Sequence, residues 1–316
     1  MESLNKTSVS EFILLGITNI EHLKIVLFIT FFFFYMFILL GNLSILAAVI
    51  IDHGLHRPMY FFLANLSCLD LFFSSTTVPK MLAGLMMGDM RISFQSCMVQ
   101  LYFFHLFGCT EALLLTLMSY DRYIAICNPL RYQVLMSNRV YVQMASYCWV
   151  IGFVYSLSHT ILTSRLPYCN MNKITHFYCD IKPLLKLACA NTKLNERLLT
   201  IISGFVSTST FILVMISYII IGSHLLNMPV GSKQSYSKAI STCTSHMVVV
   251  LLYFGIAMCT YLGPSNKETL EQDRLTALLV TVITPALNPV IYTLRNKEMK
   301  TALKRTFFKR KSLRKF

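Results

Sequence analysis

Four charged positions interrupt sequence that is otherwise apolar. Asp70 and Glu111 each break an uncharged run, residues 58–79 and 92–120, and Asp121-Arg122 follows directly on the second. An isolated ionised acid in hydrocarbon is prohibitively costly, so such groups must pair, share a proton or hold a cation. The stretch SYDRYIAICNPLRY, 119–132, sets an acid against a base where that run ends. This suits a switchable ion pair, or a charge anchored at a membrane surface. Further on, His176, Cys179 and Asp180 have metal-ligand spacing.

The elements that must position these groups are set by the solvent. Of 316 residues, 55% are hydrophobic and 13% charged, about half the roughly 25% charged content of a soluble chain. Windows free of Asp, Glu, Lys and Arg run 25–51, 140–164, 198–232, 239–266 and 275–294. With the two acid-bearing windows they make seven candidates for the roughly 20 apolar residues that a bilayer crossing needs. The chain therefore reads as an all-α membrane protein, a seven-transmembrane helix bundle in one domain over 1–316. Its spans are expected at about 24–51, 58–82, 95–127, 140–163, 197–226, 238–262 and 272–294. Residues 1–23 lack the pattern of a cleaved signal peptide, so the first span is expected to act as its own membrane signal. Inverted repeats and broken helices, the marks of a transporter, are not found.

Charge sets the orientation. The loops at 52–57, 121–139 and 233–238 and the tail 295–316 hold 16 of the 28 Lys and Arg. Positive short loops stay in the cytoplasm, so the N-terminus is expected outside and the tail inside. The sequon at Asn5 then falls outside as a glycosylation site. Cys97, Cys169, Cys179 and Cys189 fall on the oxidising side, with three pairings open to them. Basic residues flanking membrane segments do not form a nucleic-acid arm.

The motifs together resemble the rhodopsin-like G-protein-coupled receptors, in the tetrapod-type (class II) form of the olfactory receptors. They are Gly41-Asn42, PMYFFLANLSCLD at 58–70, SYDRYIAICNPLRY, HFYCDIKPLLKLACANT at 176–192, KAISTCTSHMVVV at 238–250 and PALNPVIYTLRNKEMKTALKR at 285–305. The resemblance implies disulfides Cys97–Cys179 and Cys169–Cys189, the first leaving Cys179 no thiolate for a metal. It implies a switch made of Asp121, Arg122 and Tyr123 with Tyr218, Asn288, Pro289 and Tyr292, in which Arg122 is released to meet a G protein. Asp70, Glu111 and Asn288 would hold a hydrated sodium ion, the one metal expected; the alternative is a proton shared between the acids. The sixth span begins SYSKAISTCTSHM with no acid. Arg122 thus keeps only Asp121 as ionic partner, and some basal signalling is expected.

For the ligand, Phe104 stands where relatives that bind amines carry an aspartate, and the seventh span has no lysine for retinal. A mostly apolar cavity for a small hydrophobic odorant is expected, with no cationic amine. Helical spacing from Arg122 selects Leu101, His105, Gly108, Cys109 and Ala112. Ile202, Phe205 and Val206 of the fifth span and Phe254, Ala257, Met258 and Tyr261 of the sixth are placed opposite, with His105 and Tyr261 as polar handles. The order Tyr253-Phe254-Gly255 reverses the family's Phe-Tyr-Gly, putting phenylalanine where a hydroxyl usually links pocket and switch. Met299, Leu303 and Phe307, four apart among basic residues, predict a short amphipathic cytoplasmic helix, the eighth, lying on membrane lipid. The implied function is an odorant receptor in the plasma membrane, raising cAMP through a stimulatory, olfactory-type G protein. No enzymatic step or organic cofactor is implied. A rhodopsin-like receptor for a lipid or metabolite is the alternative.

Overall fold

The computed structural model describes residues 9–18, 20–169, 171–227, 233–262 and 269–308. Its long helices are α1 (Glu21–Ile51), α2 (Pro58–Met87), α3 (Phe94–Cys127), α5 (Asn138–Ser164), α7 (Lys193–Leu226) and α8 (Lys233–Leu262). The short α4 (Tyr132–Leu135) follows α3, and α6 (Ile181–Leu187) lies in the loop before α7. The seventh rod runs from α9 (Thr269–Leu278) through a π turn, Leu279–Ile283, into α10 (Thr284–Arg295); α11 (Lys297–Phe308) turns off its end. Six helices of the described residues are long and apolar enough to cross a membrane, and α8 contributes the shorter apolar run Cys243–Met258. Helix ends lie within a few residues of the expected spans.

Helix α3 is the axis. Of its most apolar window 67% is buried, against 11% for α1, so α3 is enclosed by protein while α1 faces lipid. Gly152 of α5 lets those two helices close up: a Cβ there would collide with Thr110 Oγ1 and lie 3.1 Å from the Leu106 carbonyl oxygen. The start of α3 is capped by Ser93, whose Oγ accepts from Ser96 N at 3.2 Å. Gly88 ends α2 in the left-handed region, φ 71°.

Pro289 shows how a motif becomes structure. Proline has no N–H, so the carbonyl four residues earlier, on Pro285, loses its helical donor. Asn42 Nδ2 of α1 supplies one at 3.2 Å. The neighbouring Gly41 makes this approach possible, because a Cβ there would sit 3.0 Å from Pro289 Cβ.

A small sheet that the sequence reading did not foresee covers one end of the bundle. Strand β1 (Glu11–Leu14) lies between β2 (Arg91–Ser93) and β3 (Lys173–Ile174). It pairs antiparallel with β2, Glu11 opposite Ser93, and parallel with β3, Ile13 opposite Lys173. Phe12 and Leu14 are buried beneath it among Leu101, Ile174 and Leu184. The bonds Cys97–Cys179 and Cys169–Cys189 tie the loop over this end. At the opposite end α11 packs Met299, Ala302 and Leu303 on the core, while Phe307 is exposed.

Candidate functional site

Beneath the sheet-covered end is a cavity of about 90 Å³ between α2, α3, α5, α6, α7, α8 and the seventh rod. Four of the five residues selected on the third helix line it: His105, Gly108, Cys109 and Ala112. Leu101 does not. One turn nearer the loop, it is covered by Cys97, Cys179, Leu184 and Leu185. On α7 the expected phase was one residue off. Ser203, Val206 and Ser207 face the cavity, Ile202 lies off its wall, and Phe205 is 72% exposed on the outer face. Of the α8 residues, Ala257 lines the cavity, whereas Met258 does not and the fully buried Phe254 turns to Phe211. The side chain of Tyr261 lies outside the described residues.

Tyr253 takes the place expected of Phe254. Its hydroxyl donates to the Gly108 carbonyl, joining α8 to α3 at the cavity wall. A hydroxyl link between these helices therefore exists in this chain, carried one residue earlier than the family pattern puts it.

Phe104 stands where an acid would hold an amine, and the loop delivers an acid, Asp180, to the cavity wall. Its Oδ1 accepts from Ile181 N at 2.7 Å and lies 3.2 Å from His105 Nε2, an ion-pair contact off the line of a hydrogen bond. Burial alone would push this carboxyl up. The imidazoles of His105 and His176 and the Ile181 N–H outweigh it and hold Asp180 below the usual carboxylate range. Tyr178 stacks on Phe104, ring centroids 4.5 Å apart, to close the lid. Cys179, in its disulfide, supplies no thiolate, and the described residues contain no cluster of three His, Cys, Asp or Glu able to hold a metal.

Deeper in the bundle, both Asp70 oxygens accept from Asn288 Nδ2, at 3.1 and 3.0 Å, and Glu111 lies within electrostatic reach. Glu111 Oε1 and Asn288 Oδ1 are buried without a hydrogen-bond partner among the described residues. Unpartnered oxygens in one acidic cluster fit either a small cation or a shared proton.

At the α11 end, Arg122 Nη2 donates to Asp121 Oδ2 at 2.9 Å, and the Tyr132 hydroxyl donates to Asp121 Oδ1 at 2.7 Å. Burial, with Asp121 beside it, raises the Tyr132 phenol, so it keeps its proton and donates. Tyr218 meets His246 at 2.7 Å between their hydroxyl and Nδ1, joining α7 to α8. Arg122, His246 and Tyr292 line one small cleft, and Tyr123 packs with Cys243 and Ile221. The reading of the sequence missed Tyr132 and His246. Both stand inside quoted motifs, but nothing in one sequence pairs them with Asp121 and Tyr218.

A family model described as olfactory receptor matches residues 31–310. Olfactory receptor 12D1 of Homo sapiens is 50% identical over 302 residues, 96% of this chain and 94% of that protein. Olfactory receptor 12D2 of Homo sapiens is 48% identical over 302 residues, 96% of this chain and 98% of that protein. Olfactory receptor 4E2 of Mus musculus is 46% identical over 304 residues, 96% and 97% respectively.

The Asp180 contacts have a pH signature. A carboxyl held low in the folded state stabilises it fully above the ordinary value of about 3.9 and loses that contribution as pH falls through the folded value. Purified receptor should melt at higher temperature than its Asp180→Asn variant at neutral pH. The gap, on the scale of about 1.5–3 kcal/mol for charged hydrogen bonds, should hold down to about pH 4 and close below it. A gap that widens in acid contradicts this assignment.

Proposed function

The chain belongs to the olfactory receptor family of rhodopsin-like receptors, and from that premise we propose how it senses and signals. Members of this family are signalling receptors that answer odorants through G proteins. In this chain the cavity under the loop takes a small, mostly hydrophobic odorant. Arg122 at the other end of α3 engages a stimulatory, olfactory-type G protein, and cAMP rises. The receptor sits in the plasma membrane with the sheet end outside, where Asn5 can carry a glycan, and α11 on the inner leaflet.

One observation carries the reading: α3 lines the cavity at one end and presents Asp121-Arg122 at the other. The bonds that hold α8 against its neighbours include Tyr253 to α3 near the cavity and Tyr218 to His246 near Arg122. An odorant that fits better when α8 swings away shifts the balance; about 1.4 kcal/mol of differential affinity is tenfold. With no acid on α8 to hold it, Arg122 has Asp121 as its ion-pair partner, an acid shared with Tyr132.

Asp70, Glu111 and Asn288 are further proposed to hold sodium between cavity and switch. The unpartnered Glu111 and Asn288 oxygens support this. One sodium ion would offset one of the two carboxylate charges in the resting bundle, and the chain's part is to offer oxygens and exclude lipid.

Two measurements test these proposals. In cells reporting cAMP, Arg122→Ala should abolish odorant responses at unchanged surface level and fall below the unmutated receptor's basal cAMP. Equal basal values would contradict the weak-restraint reading, and a surviving response the coupling itself. Raising sodium against choline should weaken agonist affinity several-fold in the unmutated receptor and not in Glu111→Gln; insensitivity of both leaves the shared proton as the answer.

A further inference from the structure

Tyr155 of α5 and Ser203 of α7 meet on the cavity wall with hydroxyl oxygens 2.7 Å apart. Two hydroxyls bring two protons to one mutual bond, so one donor is left over. Elsewhere on α7 spare hydroxyl protons return to the helix. Thr200, Ser209, Thr210 and Ser217 all donate to carbonyl oxygens three or four residues back. Ser203 makes no such bond among the described residues, and its oxygen is turned to Tyr155 instead. The phenol is the more acidic partner and hence the better donor. Tyr155 thus donates to Ser203 Oγ, and the Ser203 proton is the one left to give. Ser203 is only 3% exposed, and a buried donor without an acceptor is unfavourable.

The rest of the wall narrows what can accept that proton. Ala112, Val206, Ala257, Ala277 and Val280 make the deeper part apolar. Asp180, ionised, and Lys182 put one charge of each sign on the same wall, so it offers a carboxylate no net attraction. An ammonium group has no lone pair to offer. A cavity of about 90 Å³ favours a short molecule. Resting on the cavity being the odorant site, we propose that the ligand is a neutral carbonyl compound with a short apolar tail, a ketone, aldehyde or ester. Its oxygen accepts from Ser203, and Tyr155 orients that donor.

The test uses the full-length receptor in cells reporting cAMP. The probes are methyl ketones of graded chain length, matched alkenes in which a methylidene group replaces the oxygen, and matched alkylamines. The best ketone should act at concentrations about tenfold or more below its alkene, the scale of one lost hydrogen bond. Ser203→Ala and Tyr155→Phe should each narrow that ratio, because either hydroxyl can serve alone. The double variant should bring it to one at an unchanged surface level. Equipotent ketone and alkene, a ratio that survives the double variant, an amine acting more strongly than any ketone, or silence to every ketone would overturn the inference. Failure of the underlying cavity reading looks different: the potency of an active ketone would then be indifferent to the space-filling Ala257→Phe.

Discussion

An acid buried among apolar helices needs a bonding partner across the bundle, and this constraint organises the receptor. Asp70 finds Asn288, Asp121 finds Arg122 and Tyr132, and Asp180 is brought down beside His105. Each contact fixes a different level of the bundle. The first joins α2 to α10, the second joins the end of α3 to α4, and the third pins the loop on the cavity. A buried pair of this kind adds little net stability compared with apolar packing, but losing one partner is severe. Such pairs therefore fix an arrangement more than they strengthen it.

The backbone follows the same rule. Pro289 removes a donor from the seventh rod, and Asn42 replaces it across the gap that Gly41 leaves open. The π turn at Leu279–Ile283 lies just before this point, and its Val280 reaches the cavity wall. π turns gather at functional sites, where a helix must present side chains out of regular phase. Helix α3 runs between the cavity and the Asp121-Arg122 pair. Tyr253 and His246, both on α8, lie near opposite ends of that path.

The sequence disclosed the parts governed by composition. Seven apolar stretches, their basic flanks and the buried acids can be read from a single chain, because lipid imposes them residue by residue. The third helix was read in correct phase from Arg122, and four of its five selected residues meet in the cavity. The phase of α7 was not legible. Its residues are apolar on both the lipid and protein sides, so Phe205 and Val206 look alike until neighbours are known. The place of Asp180 on the cavity wall and the three-stranded sheet were not legible for another reason. Both depend on where a loop folds back, and neither charge nor periodicity encodes that. Phe254 was placed opposite the third helix and turns to Phe211 instead, while Tyr253 supplies the hydroxyl.

The central claim is that the interior acids are compensated by specific partners across the bundle. It is tested most directly by exchanging one such pair. Asp70→Asn and Asn288→Asp, measured singly, should each lower the melting temperature and surface level of the receptor. The exchanged double variant, Asp70→Asn with Asn288→Asp, should recover most of both, since the same bond forms in reverse. A double variant no better than the poorer single one would contradict the account.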